Sequence, residues 1–341
     1  MKKLSFIDKI VFSINSLAAV MLLLSYILPH VQPKSFALLS VLSLAVPFLI
    51  ILNILFVVYW LLKVKKQLIL SLFVLLLGYK YVGSFHKFSS SLDIQDEGNM
   101  SIMNYNVRLF NLYDWIEEDQ IENKIVDFIK DEQPDVICFQ EFHPHENIDL
   151  SFYEHKFEKL AGTRVQYGQA IYSKFPIVNS GSIEFRNSAN NAIFADIVKG
   201  TDTIRVYNVH LQSMGINTEV EELKKETSDR LFKRAAQTFR MQQSQAEKVV
   251  AHKDNSPYPS IISGDFNNTA YSYVYKLIKG DFIDTFDYAG NGFGRTFDFK
   301  FFPVRIDFIL VDSKFQVNHF KTYDEKFSDH YPILSKIKLI Q

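Results

Sequence analysis

Two long runs without a charged residue dominate the start of the chain. Residues 10–28 and 35–62 contain no Asp, Glu, Lys or Arg. A bilayer core takes about 20 apolar residues in a helix, so both runs are predicted spans. A third run, 68–85, is purely apolar only to residue 77. It spans if Lys80 snorkels to the interface with Tyr79 and Tyr81 at headgroup level. The competing reading is a buried or interfacial helix. Pro47 predicts a kink in the second span, which neighbouring helices tolerate. The first run is long for a cleaved signal, and no small-residue cleavage site follows it. No acid lies within any span, which argues for an anchor and against an ion pathway.

Charge divides the chain into two objects. Residues 1–90 hold nine lysines, no arginine and one acid, Asp8, for a net +8. The remainder holds 28 basic and 37 acidic residues, for a net −9. Lys2, Lys3 and Lys9 precede the first span, and Lys63, Lys65 and Lys66 follow the second, whereas only Lys34 lies between them. The positive-inside rule then puts the N-terminus and the second link in the cytoplasm. Three spans deliver the body to the outside. The expected organisation is an anchor over 1–86, a Ser-rich polar linker over 87–99 and a catalytic-type body over 100–341. The expected location is a bacterial inner membrane with the body periplasmic: the lysines set the orientation, and the lack of a cleavable signal and of a disulfide framework, with one cysteine, Cys138, points to that membrane.

In the body, short strand-like runs end in polar clusters. They are predicted at 102–107, 136–139, 165–172, 193–198, 203–209, 260–263, 306–311 and 332–340. Residues 121–130 read as an amphipathic helix stopped before Pro134. Residues 217–251 read as helical in two pieces. Many strands and few helices predict an α+β layered fold, two packed sheets with helices outside.

The polar residues at the strand ends carry the chemistry. Asn106 ends MNYN, Glu141 ends VICFQE, His210 ends VYNVH, and Asp265 and Asn267 end IISGDFN. Asp307 sits in RIDFIL, and Asp329 and His330 in FSDHYPI. Each alone has a bland reading: Asn106 as a turn residue, Asp265 as a turn cap, His210 as a core histidine. A carboxylate inside an apolar strand, as at Asp307, is costly unless paired. Oxygen donors of this kind suit Mg²⁺, Mn²⁺ or Ca²⁺. Asp307 could pair with His330 and keep it cationic, beside a phosphoryl group in transfer. Asp265 and Asn267, two apart on one strand end, are expected on one face.

NYNVR, ICFQE, VYNVHLQS, ISGDFNN, RIDFILV and SDHYPI occur in this order. Together they resemble the endonuclease/exonuclease/phosphatase superfamily, the deoxyribonuclease I-like fold, over about residues 100–340. The resemblance implies a four-layered α/β sandwich and hydrolysis of a phosphate ester with one or two Mg²⁺ or Mn²⁺ ions. It implies that Asn106 and Glu141 hold the metal with Asp329 nearby. It implies that Asp265 orients or deprotonates water, and that Asn267 and His330 grip the phosphate with Asp307 behind His330. It implies that His210 assists the leaving group.

Which ester is open: a phospholipid head group, a nucleic acid or a small phosphodiester. The anionic body lacks an obvious basic footprint for nucleic acid. A nuclease on extracytoplasmic DNA or RNA and a catalytically silent envelope module stay open as alternatives. No protein partner is inferable. Residues 214–234 read as a solvated helix or a lid, and His143 and His145 as loop histidines.

Overall fold

The computed structural model describes residues 4–88, 92–215, 228–299 and 302–340. The apolar front folds into α1 (Phe6–Ser25), α2 (Pro33–Val41), α3 (Val46–Leu62), α4 (Leu68–Leu77) and α5 (Tyr79–Phe85). The segments Phe6–His30 and Pro33–Leu62 are each long and apolar enough to cross a membrane. The second is interrupted by a 3₁₀ turn at Leu42–Ala45, and Pro47 lies in the first turn of α3, where its missing N–H costs nothing.

The third hydrophobic run is bent by 81° between α4 and α5. The bend falls at Gly78, whose missing Cβ makes room for the Tyr26 ring. Tyr26 donates to the Val74 carbonyl at 2.9 Å and stacks on Tyr81. α4 still belongs to the bundle. Ser71 joins Asn15 of α1 at 2.5 Å and Asn53 of α3 at 2.8 Å, and Trp60 donates to Asn15. Such side-chain bonds hold helices together where lipid supplies no hydrophobic drive.

The body contains two six-stranded sheets among the described residues. The first comprises β2 (Met100–Asn106), β3 (Val136–Phe142), β4 (His155–Ala161), β5 (Tyr167–Ser173), β13 (Phe315–Thr322) and β14 (Ile333–Leu339), in the order β13-β14-β2-β3-β5-β4. The second comprises β6 (Ile177–Glu184), β7 (Asn191–Lys199), β8 (Asp202–His210), β9 (Ser260–Asp265), β10 (Ile283–Asp284) and β12 (Asp307–Val311), in the order β10-β12-β9-β8-β7-β6. A short ribbon pairs β1 (His86–Lys87) with β11 (Gly292–Phe293).

Each sheet has one parallel pair, β2 with β3 and β8 with β9. A parallel pair needs a crossover, and a helix supplies each one. These are α6 (Ile121–Glu132) and α7 (Ser228–Asp254). Ile121, Ile125 and Ile129 of α6 cover the outer face of the first sheet with Met103, Tyr105 and Phe139. Ala246 and Val249 of α7, with α8 (Tyr273–Lys279), cover Tyr207, Ile262 and Phe308 of the second. The small helix α9 (Thr285–Ala289) joins the core between the sheets. The layers therefore run helix, sheet, sheet, helix, as the family resemblance implies.

The described part of the 217–251 stretch, from Ser228, is one helix; the rest of that reading lies outside the described residues. Residues 92–99 lie against the body: Leu92 packs on the inter-sheet core, and Ile94 donates to the Asn318 carbonyl.

The pleat explains where the polar residues go. Inner-face positions run from apolar to polar along each central strand: Ile102, Asn104, Asn106; Val136, Cys138, Gln140; Val206, Asn208, His210; Ile261, Ser263, Asp265. β12 runs the other way, from Asp307 to Ile309 and Val311. All the polar ends therefore gather at one end of the sandwich. Gly264 lets β8 and β9 close there, because a Cβ at that position would lie 2.0 Å from the Val209 carbonyl oxygen. Gly264→Ala is expected to lower the thermal midpoint of the full chain by roughly 5–10 °C, the scale of an overpacked core site. An unchanged midpoint in a detergent melt would show that the strands part without cost.

Candidate active site

Strand register sets the site. His210 pairs with Asp265, and Asp265 pairs with Asp307, so the three form one row across β8, β9 and β12. Asn106 ends β2 on the facing sheet, opposite Gln140 of β3. Glu141 follows at a bulge where the β3–β5 register shifts, with φ at +50°. A bulge re-aims a side chain, and here it turns Glu141 towards the row on the other sheet. Asn106 Nδ2 lies 3.1 Å from Asp265 Oδ2 and 3.5 Å from Glu141 Oε1. His210 Nε2 lies 3.7 Å from Asp265 and 4.0 Å from Glu141.

Asp265 and Asn267 do meet, but not by strand alternation. The strand stops at Asp265, and the Asn267 N–H donates to Asp265 Oδ1 at 2.7 Å in an Asx turn. Asn267 has φ +49° and also donates its Nδ2 to Asp265 Oδ2. Both Glu141 and Asn267 thus hold a backbone conformation that is uncommon outside glycine. Such conformations cluster at functional sites.

Asp307 is 1% exposed and fully partnered. Its Oδ2 faces His330 Nδ1 at 2.9 Å, and its Oδ1 accepts from Asn104 Nδ2 across the sheet interface at 3.2 Å. His330 Nε2 stands 3.8 Å from Asp265. Ser328 Oγ donates to the Asn106 carbonyl at 2.8 Å, and Phe297 packs its ring edge-on to His330. Asp329 lies at the rim in an ion pair with Arg108 at 3.2 Å.

Protonation follows from this crowding. Burial first, then Asp307, push the Asp265 carboxyl up to about 8, against the opposing pull of His330. Burial works to neutralise His330, but Asp307 and Asp265 outweigh it and hold the imidazole up to about 10. Burial first and the His330 charge second press His210 down to about 3. Burial and the neighbouring Asp329 also push Glu141 up. The acids around His330 favour its cationic form, and burial favours the neutral form of His210.

The donor set fits a hard divalent cation. Asp265, Asp307 and His330 bring ligand atoms within 4.8 Å of one another, a spacing that suits a metal ion, but Asp307 and His330 are engaged with each other, which leaves Asp265 as the carboxylate of that group open to one. Glu141 adds a carboxylate oxygen close to Asn106 and Asp265, while Asn106 turns its Nδ2 to both acids and its Oδ1 to the Arg108 N–H, so its oxygen would reach an ion only with the amide turned over. The buried Nε2 of His210 has no hydrogen-bond partner among the described residues, which suits a site that takes a polar ligand.

The polar residues behind the site carried no role in the sequence reading. Gln140 Nε2 donates to Asn104 at 2.9 Å and to Asn208 at 2.6 Å. Ser263 donates to Asn104, and Asn208 donates to the carbonyls of Phe139 and Ala170. Their signal was present in NYN, FQE and YNVH, where they sit two before, or one before, a predicted site residue. His143 and His145 lie away from the row, lining a hollow with Leu109 and Glu122.

Residues 103–330 match the Endonuclease/Exonuclease/phosphatase family, and residues 8–85 match a domain of unknown function, DUF8431. No curated protein sequence matches the chain. Among solved structures, the endonuclease/exonuclease/phosphatase from Beutenbergia cavernae DSM 12333 is 17% identical with TM-score 0.52, covering 72% of each chain. The human Nocturnin catalytic domain with bound sulfate anion is 17% identical with TM-score 0.54, covering 73% of this chain and 96% of that one. A family protein from Bacteroides thetaiotaomicron is 20% identical with TM-score 0.51, covering 71% and 98%. The layered sandwich and the family match agree, and the chain belongs to the endonuclease/exonuclease/phosphatase family, whose members hydrolyse phosphate esters.

Proposed function

We propose that this protein is a membrane-anchored, divalent-metal-dependent phosphoesterase. The observation that carries the reading is the row of His210, Asp265 and the Asp307–His330 pair facing Asn106 and Glu141. Asn106 and Glu141 hold the ion, with Asp329 at the rim. When bound, Mg²⁺ or Mn²⁺ neutralises charge on the phosphate and polarises it.

The chain's own groups do the rest. Asp265 orients the attacking water and accepts its proton once ionised. Asn267 and the His330 cation hold the phosphate oxygens, and Asp307 keeps that cation charged and aimed. His210, held neutral by burial and with no partner at Nε2 among the described residues, meets the leaving-group side. The lysine asymmetry of the anchor supports a body on the extracytoplasmic side of a bacterial inner membrane. The substrate is a phospholipid head group, a nucleic acid or a small phosphodiester. A screen of the full chain with Mg²⁺ or Mn²⁺ against these classes tests the activity.

Three outcomes are expected. Glu141→Gln keeps the side-chain size and removes the charge. It should weaken Mn²⁺ binding at least tenfold in calorimetry, with activity partly restored at high metal. Unchanged affinity would remove Glu141 from the ligand set.

The second concerns pH. Without the ion, the folded protein keeps a proton on Asp265 that the unfolded chain releases near pH 4. Stability is therefore lost as pH rises towards about 8, and His330 adds a further loss up to about 10. Mn²⁺ replaces the Asp265 proton, so it should raise the thermal midpoint more at pH 8 than at pH 5 and release protons on binding. Equal increments at both pH values would contradict a buried protonated Asp265.

For topology, a reporter fused after Gln341 should read as extracytoplasmic. Cytoplasmic activity would mean that the bent α4–α5 pair does not cross.

A further inference from the structure

The anchor touches the loops that carry the proposed catalytic residues. Ala37 and Val41 of α2 are buried against Ala235, Ala236 and Phe239 of α7. Met214, four residues after His210, packs on the same cluster. The Lys34 backbone N–H donates to Gln243 Oε1 of α7 at 2.8 Å, and the Lys34 ammonium pairs with Glu247. One residue away, Gln242 is fully buried and turned to the opposite task. Its Nε2 donates to the Gln212 carbonyl at 2.8 Å and the Asn267 carbonyl at 3.1 Å, and its Oε1 accepts from Asn268 Nδ2 at 2.8 Å. Gln245 accepts from the Gln212 N–H at 2.8 Å. A second contact reaches the same loop from the other side. Tyr271, four residues beyond Asn267, is buried in the helical bundle with Leu49, Ile50 and Phe85, and its hydroxyl donates to the Tyr81 carbonyl at 3.1 Å.

We propose that the membrane helices are a positioning part of the catalytic unit: α2, docked on α7, fixes the His210 and Asn267 loops through Gln242 and Gln245. The inference rests on the phosphoesterase reading for its kinetic consequences, but not for its structural ones. Two loops bonded to one helix move together. Asn267 Nδ2 also donates to the Leu211 carbonyl at 3.0 Å, so a shift in α7 carries both loops. Gln242, Gln243 and Gln245 are positioning residues in this scheme, since none touches the acids of the row. A displacement of about 1 Å in a catalytic group costs on the order of 100-fold in rate.

The test uses the full chain in lipid nanodiscs, with Mn²⁺ and a soluble bis-aryl phosphodiester that needs no membrane. Gln243→Met removes the acceptor for Lys34 without approaching the site, and Ala37→Phe wedges α2 from α7. Each should lower kcat about 10- to 100-fold with KM within about twofold, whereas Ala37→Ser should behave as wild type. Amide hydrogen exchange should rise at residues 211–215 and 266–271 and stay unchanged at 136–142. Should Ala37→Phe not fold, Gln243→Met gives the same readings. Unchanged exchange at both loops in Gln243→Met, or unchanged kcat with active wild type, overturns the proposal. If the wild type turns over no phosphate ester, the functional reading fails, and the exchange data alone decide the coupling.

Discussion

A single buried carboxylate holds the arrangement together. Asp307 sits where β12 begins, out of reach of water, and an ion there is tolerable only if every lone pair is met. The partners come from two directions: Asn104 from the opposite sheet and His330 from the loop before β14, while Asp265, its neighbour in the strand register, adds a second acid that the His330 cation must also face. The Asp307 N–H adds a bond to Thr296 Oγ1 at 3.0 Å. Losing any partner would leave a charge stranded in the core. The two sheets and the loop at Ser328–Tyr331 are thus obliged to stay in one register, and the site's electrostatics follow from that obligation.

Much of this was legible in the sequence, and the gaps have physical reasons. The central strands were readable because both their faces are buried, so β2, β3, β8, β9 and β12 stand out as apolar runs with polar ends. β4, β6 and β13 were not read, and each is a sheet edge. HKFEKLA and IVNSGSIE are half-exposed strands whose polar residues face solvent, which mimics a loop. The eight predicted site residues do converge at one end of the sandwich. Asp265 and Asn267 were expected to align by strand period and are brought together by a turn instead. The inner polar layer of Asn104, Gln140, Asn208 and Ser263 is marked in the sequence only by its place one or two residues before a site residue, and nothing local tells a buried polar partner there from an ordinary strand residue. The α4–α5 bend depends on Tyr26, 52 positions before Gly78, and no local pattern contains it.

The two halves of the sandwich solve the same problem twice. Each uses strand, helix and parallel strand, β2–α6–β3 and β8–α7–β9, and each carries its functional residues just past the carboxyl ends of those strands. The halves differ in what their helix faces. α6 covers one sheet at the surface, ending at a left-handed Gln133 before Pro134. α7 is covered in turn by α2 of the apolar front, so its buried glutamines have partners on both sides.

Because the proposed reacting groups are divided between facing sheets, the gap between those sheets is itself a dimension of the active site. Sheets packed face to face stand about 10 Å apart, and that spacing is set by the side chains filling it. Here the filling beneath the polar ends is Ile102, Cys138, Val206, Ile261 and Ile309. These residues act as a gauge block. Thinning the block draws Asn106 and Glu141 closer to Asp265 and His330, and thickening it drives them apart. The interior of the body, usually a matter of stability alone, thereby doubles as the ruler against which its chemistry is measured.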